Sequence, residues 1–473
     1  RDAMHVPSSA EPRAKRPRPS ACPNGCSASS GSASCPVGWR AIPRLSAPPD
    51  PDTFLRDFAR PRVPFVLEAG CAQTFGWPAA DGRWQRLSYL EGHPQVQAME
   101  RLFDTPQGFR PVAVRACARN GDLGGISCPM TPLEAMQTLR TREELGSLAD
   151  DGVAMYIGAW EYDADDWTRG HSGPGDLPKS LSEDVAPRVP FAQCLLEKEL
   201  GPDHPALRSL RWMYIGEHGS GTSAHLDPVA THGWMWLARG QKEWRIVRWN
   251  TGCASTADEA AGPAPVGLEA VPPGAPTDLF GPLACEGLAA WCTSPSFAAW
   301  AGPLMEGELI FVPSEALHAV TNSPPGLSVA ISQNWTDASC VLAVLSWLRR
   351  ALGLLRRKLE AGGGSAAIES LDGLEGCQKL EASGGSSAIE SLEGMDCCQK
   401  LETGGDSAAI HSLEGLDGTL GPQGRELAAA ALRCPSLPHR LARADPTGAA
   451  QAVAEACEWE LERISVACAR VPG

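Results

Sequence analysis

Between about residues 38 and 339 the apolar residues come in short stretches, at 63–67, 153–157, 212–215, 234–237, 244–247, 309–312 and 327–331, each close to a glycine or proline. Stretches of four or five residues are too short for helices but suit strands, and repeated strand and turn signals predict a sandwich or barrel. Residues 132–148 and 191–200 have helical character. The expected fold class is therefore mainly β with α, with helices packed outside the sheets.

The rest of the chain reads differently. Residues 1–37 are rich in Ser, Pro, Ala and Arg and nearly free of bulky apolar side chains, which predicts a disordered basic arm. Within it, residues 12–19 form a basic cluster that suits a nuclear import signal or a plain solvated charge group. Cys22, Cys26 and Cys35 lack a fourth ligand nearby and read as free thiols. Residues 340–359 carry apolar side chains at helical spacing, an amphipathic helix expected to pack on the core or on a second subunit, so that the C-terminal helices offer a homodimer contact. Over 360–420 a motif centred on Ile368, Ile389 and Ile410 recurs every 21 residues in a Gly/Ser-rich acidic setting. It reads as a flexible array rather than a solenoid. Residues 421–473 are again helical in composition, with prolines as breaks.

A net charge of −15 argues against broad electrostatic binding to nucleic acid and leaves room for a basic peptide partner. Seventeen cysteines without a framework spacing predict a reducing compartment, nuclear or cytoplasmic and not secreted. The longest apolar run, 340–348, falls far short of a membrane span.

The chemistry concentrates in two segments. In residues 219–228, His225 and Asp227 are two apart, and in an extended chain side chains at i and i+2 share a face and can reach one metal ion. A third ligand, His318, follows the apolar stretch 309–312 and a turn. Two imidazoles and one carboxylate on one face leave three positions open, which favours Fe(II) over zinc. Lys242 shares a strand face with Trp244 and Ile246, so its ammonium points inward, where it can pair with the carboxylate of a keto acid.

The runs 211–216, 222–228 and 240–244, together with 307–318 and 331–334, resemble the Jumonji C (JmjC) domain oxygenases, and within them the subgroup containing an arginine demethylase and lysyl hydroxylase. The likeness covers roughly residues 40–337 and implies a cupin-type double-stranded β-helix, or jelly roll. It implies that His225, Asp227 and His318 ligate Fe(II), that Lys242 binds the distal carboxylate of 2-oxoglutarate, and that dioxygen is the co-reactant. Thr222 and Ser332 would add hydroxyl hydrogen bonds to the cosubstrate, and Tyr156, Trp212 and Asn334 would line the same pocket. Two positions depart from the subgroup: Met235 replaces a polar amide, and Leu317 replaces an aromatic residue before the distal histidine.

The resemblance implies oxidation of a protein side chain, as lysyl hydroxylation or N-methyl demethylation, with histones among the candidate substrates. Two other readings stand beside it. One keeps the iron chemistry and moves it to RNA or a small molecule, and the other makes the chain a catalytically silent cupin scaffold with a partner-binding tail.

Overall fold

The computed structural model describes residues 39–103, 112–118, 125–145, 152–163, 179–185, 189–249, 278–280, 297–324, 326–361 and 417–469. The expected basic arm, its three cysteines and nearly all of the 21-residue repeats lie outside the described residues.

The described chain forms two sheets. Strands β1 (Arg40–Ala41), β2 (Arg44–Leu45), β3 (Phe65–Leu67), β4 (Val112–Ala118), β5 (Gly125–Met130) and β6 (Val153–Trp160) precede the central set. That set comprises β7 (Arg211–Glu217), β8 (Gly221–His225), β9 (His232–Arg239), β10 (Gln241–Trp249), β11 (Phe297–Met305), β12 (Leu309–Val312), β13 (Leu317–Ser323) and β14 (Leu327–Trp335). One sheet runs β1-β11-β10-β13-β8 and the other β2-β3-β12-β9-β14-β7-β6-β4-β5. The pairs within the central set are antiparallel, and the two sheets form a cupin-type jelly roll.

Alternation explains why the large sheet is buried on both sides. Along β9, Trp234 and Trp236 enter one apolar cluster, whereas Met235 and Leu237 enter another between the sheets with Trp244, Ile246, Ile310 and Val320. The first cluster is closed from outside by helices α1 (Pro94–Phe103) and α2 (Pro132–Leu145) and by Phe54, Trp84 and Phe191. Where a helix was expected over 191–200, it forms only at Leu195–Leu200 (α3), because Phe191 is drawn into the core against Phe54 and Phe65.

A third apolar cluster lies around α4 (Val341–Ala361). Its buried side chains Val341, Val344, Leu345, Leu348, Leu352 and Leu355 recur at helical spacing. They pack with α5 (Asp417–Arg433), α6 (Leu437–Ala442) and α7 (Ala449–Ala469), and also with Trp212 of β7 and Val229. Among the described residues no helix is long and apolar enough to cross a membrane.

Candidate metal and cosubstrate site

The jelly roll brings the three expected ligands together. His225 ends β8, and Asp227 follows in extended conformation (φ −61°, ψ 144°) at the head of a short turn. His318 lies directly opposite His225 in the β8–β13 ladder. The two rings are 4.2 Å apart, His318 Nε2 is 3.7 Å from Asp227 Oδ1, and the three ligand atoms lie within 4.8 Å of one another. Gly233 makes room for this: a Cβ there would stand 2.7 Å from Asp227 Oδ2.

Hydrogen bonds orient the donors. His225 Nδ1 lies 2.8 Å from Ser223 O and His318 Nδ1 2.9 Å from Ala316 O, contacts in which each Nδ1 carries the proton. Both Nε2 atoms therefore keep their lone pairs. Burial, and for His225 the neighbouring His318, lowers both imidazoles to about 4, so they are neutral near pH 7. Burial raises the Asp227 carboxyl, while His225 and a hydrogen bond from Asn334 pull it back. Two neutral imidazoles and a desolvated carboxylate converging on one point make a donor set that fits a divalent cation.

The adjoining cavity is lined by Tyr214, Thr222, Met235, Trp244, Ser332 and Asn334 together with the three ligands. Tyr156 sits beside it, its hydroxyl 3.0 Å from Thr222 Oγ1. Lys242 is fully buried; its Nζ donates to Asn322 Oδ1 at 2.6 Å and lies 5.8 Å from the centre of the Tyr156 ring. Burial lowers its ammonium to about 7, and among the described residues no carboxylate pairs with it. Asn334 donates to Thr231 Oγ1 at 2.9 Å and bonds Asp227, so it braces one of the three candidate ligands.

Trp212 is placed elsewhere. It packs among the C-terminal helices, and Tyr214, two residues on, takes the cavity position and bonds Ser332. Of the two departures, Met235 lines the cavity, but Leu317 is buried in a separate cluster with Ala224, Val247 and Leu279. Sequence reasoning missed Asn322, which faces Lys242 in the β10–β13 register, and Arg115, whose guanidinium lies 5.1 Å from the Tyr156 ring centre. Strand register was the signal needed for Asn322, and the sequence does not display it.

No family model matches the chain. Curated relatives do. Over 174 residues it is 30% identical to the bifunctional arginine demethylase and lysyl-hydroxylase psr-1 of Caenorhabditis briggsae, covering 33% of this chain and 36% of that protein. Over 301 residues it is 26% identical to the Caenorhabditis elegans protein of the same name, covering 60% of this chain and 58% of the relative. The arginine-specific demethylase JMJ22 of Arabidopsis thaliana is 30% identical over 151 residues, 32% of this chain and 27% of the relative. The matches thus span only part of each relative. With the jelly roll and these relatives together, the chain resembles the Jumonji C proteins, and among them the arginine demethylases and lysyl-hydroxylases.

Proposed function

We propose that the chain is an Fe(II)- and 2-oxoglutarate-dependent dioxygenase that oxidises a protein side chain, by lysyl hydroxylation or N-methyl demethylation. The observation that carries this is Lys242, a buried ammonium without a carboxylate partner among the described residues, whose neighbour Tyr156 bonds Thr222 in the wall of the cavity that His225, Asp227 and His318 also line. An ammonium so placed calls for an anionic ligand.

In this reading His225 Nε2, Asp227 and His318 Nε2 hold Fe(II), and Lys242 with Thr222 and Ser332 holds the dicarboxylate. Bound iron would supply the oxidative chemistry that couples decarboxylation of 2-oxoglutarate to insertion of oxygen into a C–H bond. The protein's own part is orientation and exclusion. Ser223 O and Ala316 O fix the imidazole rings, Asn334 fixes Asp227, and Trp244, stacked 5.8 Å from His318, helps keep water from the face. The relatives that are arginine demethylases and lysyl-hydroxylases support a protein substrate, and the net charge of −15 supports a basic one.

The test is succinate formation by purified, Fe(II)-loaded protein beside an Asp227→Ala variant, followed by mass spectrometry of peptide libraries. A gain of about 16 Da on lysine marks hydroxylation, and a loss of about 14 Da from a methylated residue marks demethylation. Equal turnover by the two proteins would sink the assignment.

A further inference from the structure

A second group of side chains carries the donor set of a metal site: His232, Asp337 and Cys340, all buried, with ligand atoms within 4.8 Å of one another. Its hydrogen bonds point elsewhere. The Ser314 backbone N–H donates to His232 Nδ1 at 2.8 Å, so the single proton of the neutral ring is on Nε2. That Nε2–H lies 2.8 Å from Ser339 Oγ, and the Ser339 hydroxyl donates onward to Asp337 Oδ1 at 2.6 Å. A metal on Nε2 would move the ring proton to Nδ1, where the Ser314 N–H already stands. Burial opposes charging of this imidazole, but Cys340 and Asp337 outweigh it and push its pKa up to about 10; against that, the Ser314 N–H aimed at Nδ1 leaves no place for a second ring proton, and this geometry decides.

We propose that His232 is a positioning residue for the face formed by His225, Asp227 and His318, an inference that rests on reading that face as a metal site. Asp227 runs into the turn 228–231, and His318 follows the turn 313–316. His232 holds the second turn through Ser314 N–H, and the Ser314 hydroxyl donates to Ala230 O at 2.5 Å, pinning one turn to the other. Both turns contain non-glycine residues at positive φ, Val229 (61°), Ala230 (54°) and Glu315 (58°), conformations that persist only where the surroundings hold them. On its other side His232 reaches the head of α4, since Asp337 O accepts from the Val341 N–H at 3.0 Å. The imidazole thereby ties both ligand-bearing turns to the C-terminal helices.

The experiment is calorimetric titration of the full chain with Mn(II), a probe that needs no turnover, with thermal melting recorded separately. One equivalent should bind to the wild type, and Asp227→Ala should abolish binding. His232→Ala should weaken Mn(II) affinity about 10- to 100-fold, the range set by loss of groups that orient ligands. His232→Asn, whose amide oxygen can accept the Ser314 N–H, should restore most of it. If His232→Ala does not fold, Asp337→Ala, which removes both the direct 3.3 Å contact of Asp337 Oδ1 with His232 Nε2 and the link through Ser339, should still lower affinity several-fold, and wild-type affinity there would overturn the proposal. Wild-type affinity in His232→Ala, with Asp227→Ala unable to bind, would overturn this proposal alone, whereas undiminished binding by Asp227→Ala would overturn the metal reading beneath it. Among the described residues Asp337 Oδ2 has no hydrogen-bond partner, so a second bound equivalent, lost in His232→Ala, would show that the cluster is itself a metal site and refute the positioning role.

Discussion

Lys242 shows at the scale of one residue how a buried charge opposes stability. Its ammonium is surrounded by the Asn322 amide, the Tyr156 ring and apolar neighbours, and burial brings its pKa from 10.5 to about 7. The unfolded chain therefore binds more protons than the folded one between pH 7 and 10.5, and stability should rise with pH across that window. The penalty is fully present below pH 7 and gone above 10.5, an effect on the order of 4 kcal/mol at neutral pH before relaxation reduces it. Lys242→Met removes the charge and keeps the length, at a cost of about 1–3 kcal/mol for the Asn322 oxygen left without a donor. Denaturant melts of ligand-free protein from pH 7 to 10 should show the wild type gaining on the variant as pH rises. Added 2-oxoglutarate should stabilise the wild type only. A constant difference between the two pH curves would mean that the lysine is solvated, and would remove the main support for an anionic ligand. The inward direction of this side chain was legible from its alternation with Trp244 and Ile246, but its partner Asn322 was not, because that contact depends on register across β13.

Elements were legible to the degree that their own residues specify them. The stretches 309–312 and 327–331 announce β12 and β14 because both faces of each strand are buried and the run is apolar throughout or nearly so. Strand β11 gave no such sign: Ala298, Ala299, Ala301, Gly302 and Pro303 are poor strand formers, and pairing with β10 imposes the conformation. Pro303 is tolerated because β1 pairs only as far as Ala301, which leaves that side of β11 without a partner strand among the described residues. The strand β8 depends instead on close approach. A Cβ at Gly221 would stand 2.1 Å from Val320 O and 2.8 Å from Thr321 Cα, and backbone atoms cannot step aside without parting β8 from β13. Gly221→Ala should cost about 1–3 kcal/mol or more by overpacking. Because β8 also carries Thr222 and His225, Mn(II) affinity should fall together with the denaturation midpoint. An unchanged midpoint would show that the two strands separate freely and that their pairing does not set the geometry of the site.

At the scale of the molecule, the jelly roll and the C-terminal helices share one apolar boundary. Trp212 of β7 and Val229, two residues beyond Asp227, are buried in the same cluster as Leu345, Leu348 and Leu352 of α4 and Ala428, Ala431 and Leu441 of the following helices. Gly424 permits that packing, since a Cβ there would meet the Trp347 ring at 2.3 Å. The sequence read α4 as amphipathic, but whether its apolar face turned to the core or to a second subunit needed the fold, because periodicity gives a face and not its partner. With that face covered by α5, α6 and α7 and by the sheet, loosening the helices uncovers side chains of the strand layer as well. Leu348→Ala, at a fully buried position of α4, should cost about 2–5 kcal/mol. If the boundary is as continuous as its contacts, that loss will appear as a lower midpoint of a single calorimetric transition. Ellipticity, intrinsic tryptophan emission and Mn(II) release should move together with it. Two transitions, with only the lower one shifted and metal retained through it, would mean that the helices melt as a separate layer and that the sheets hold the ligand face without them.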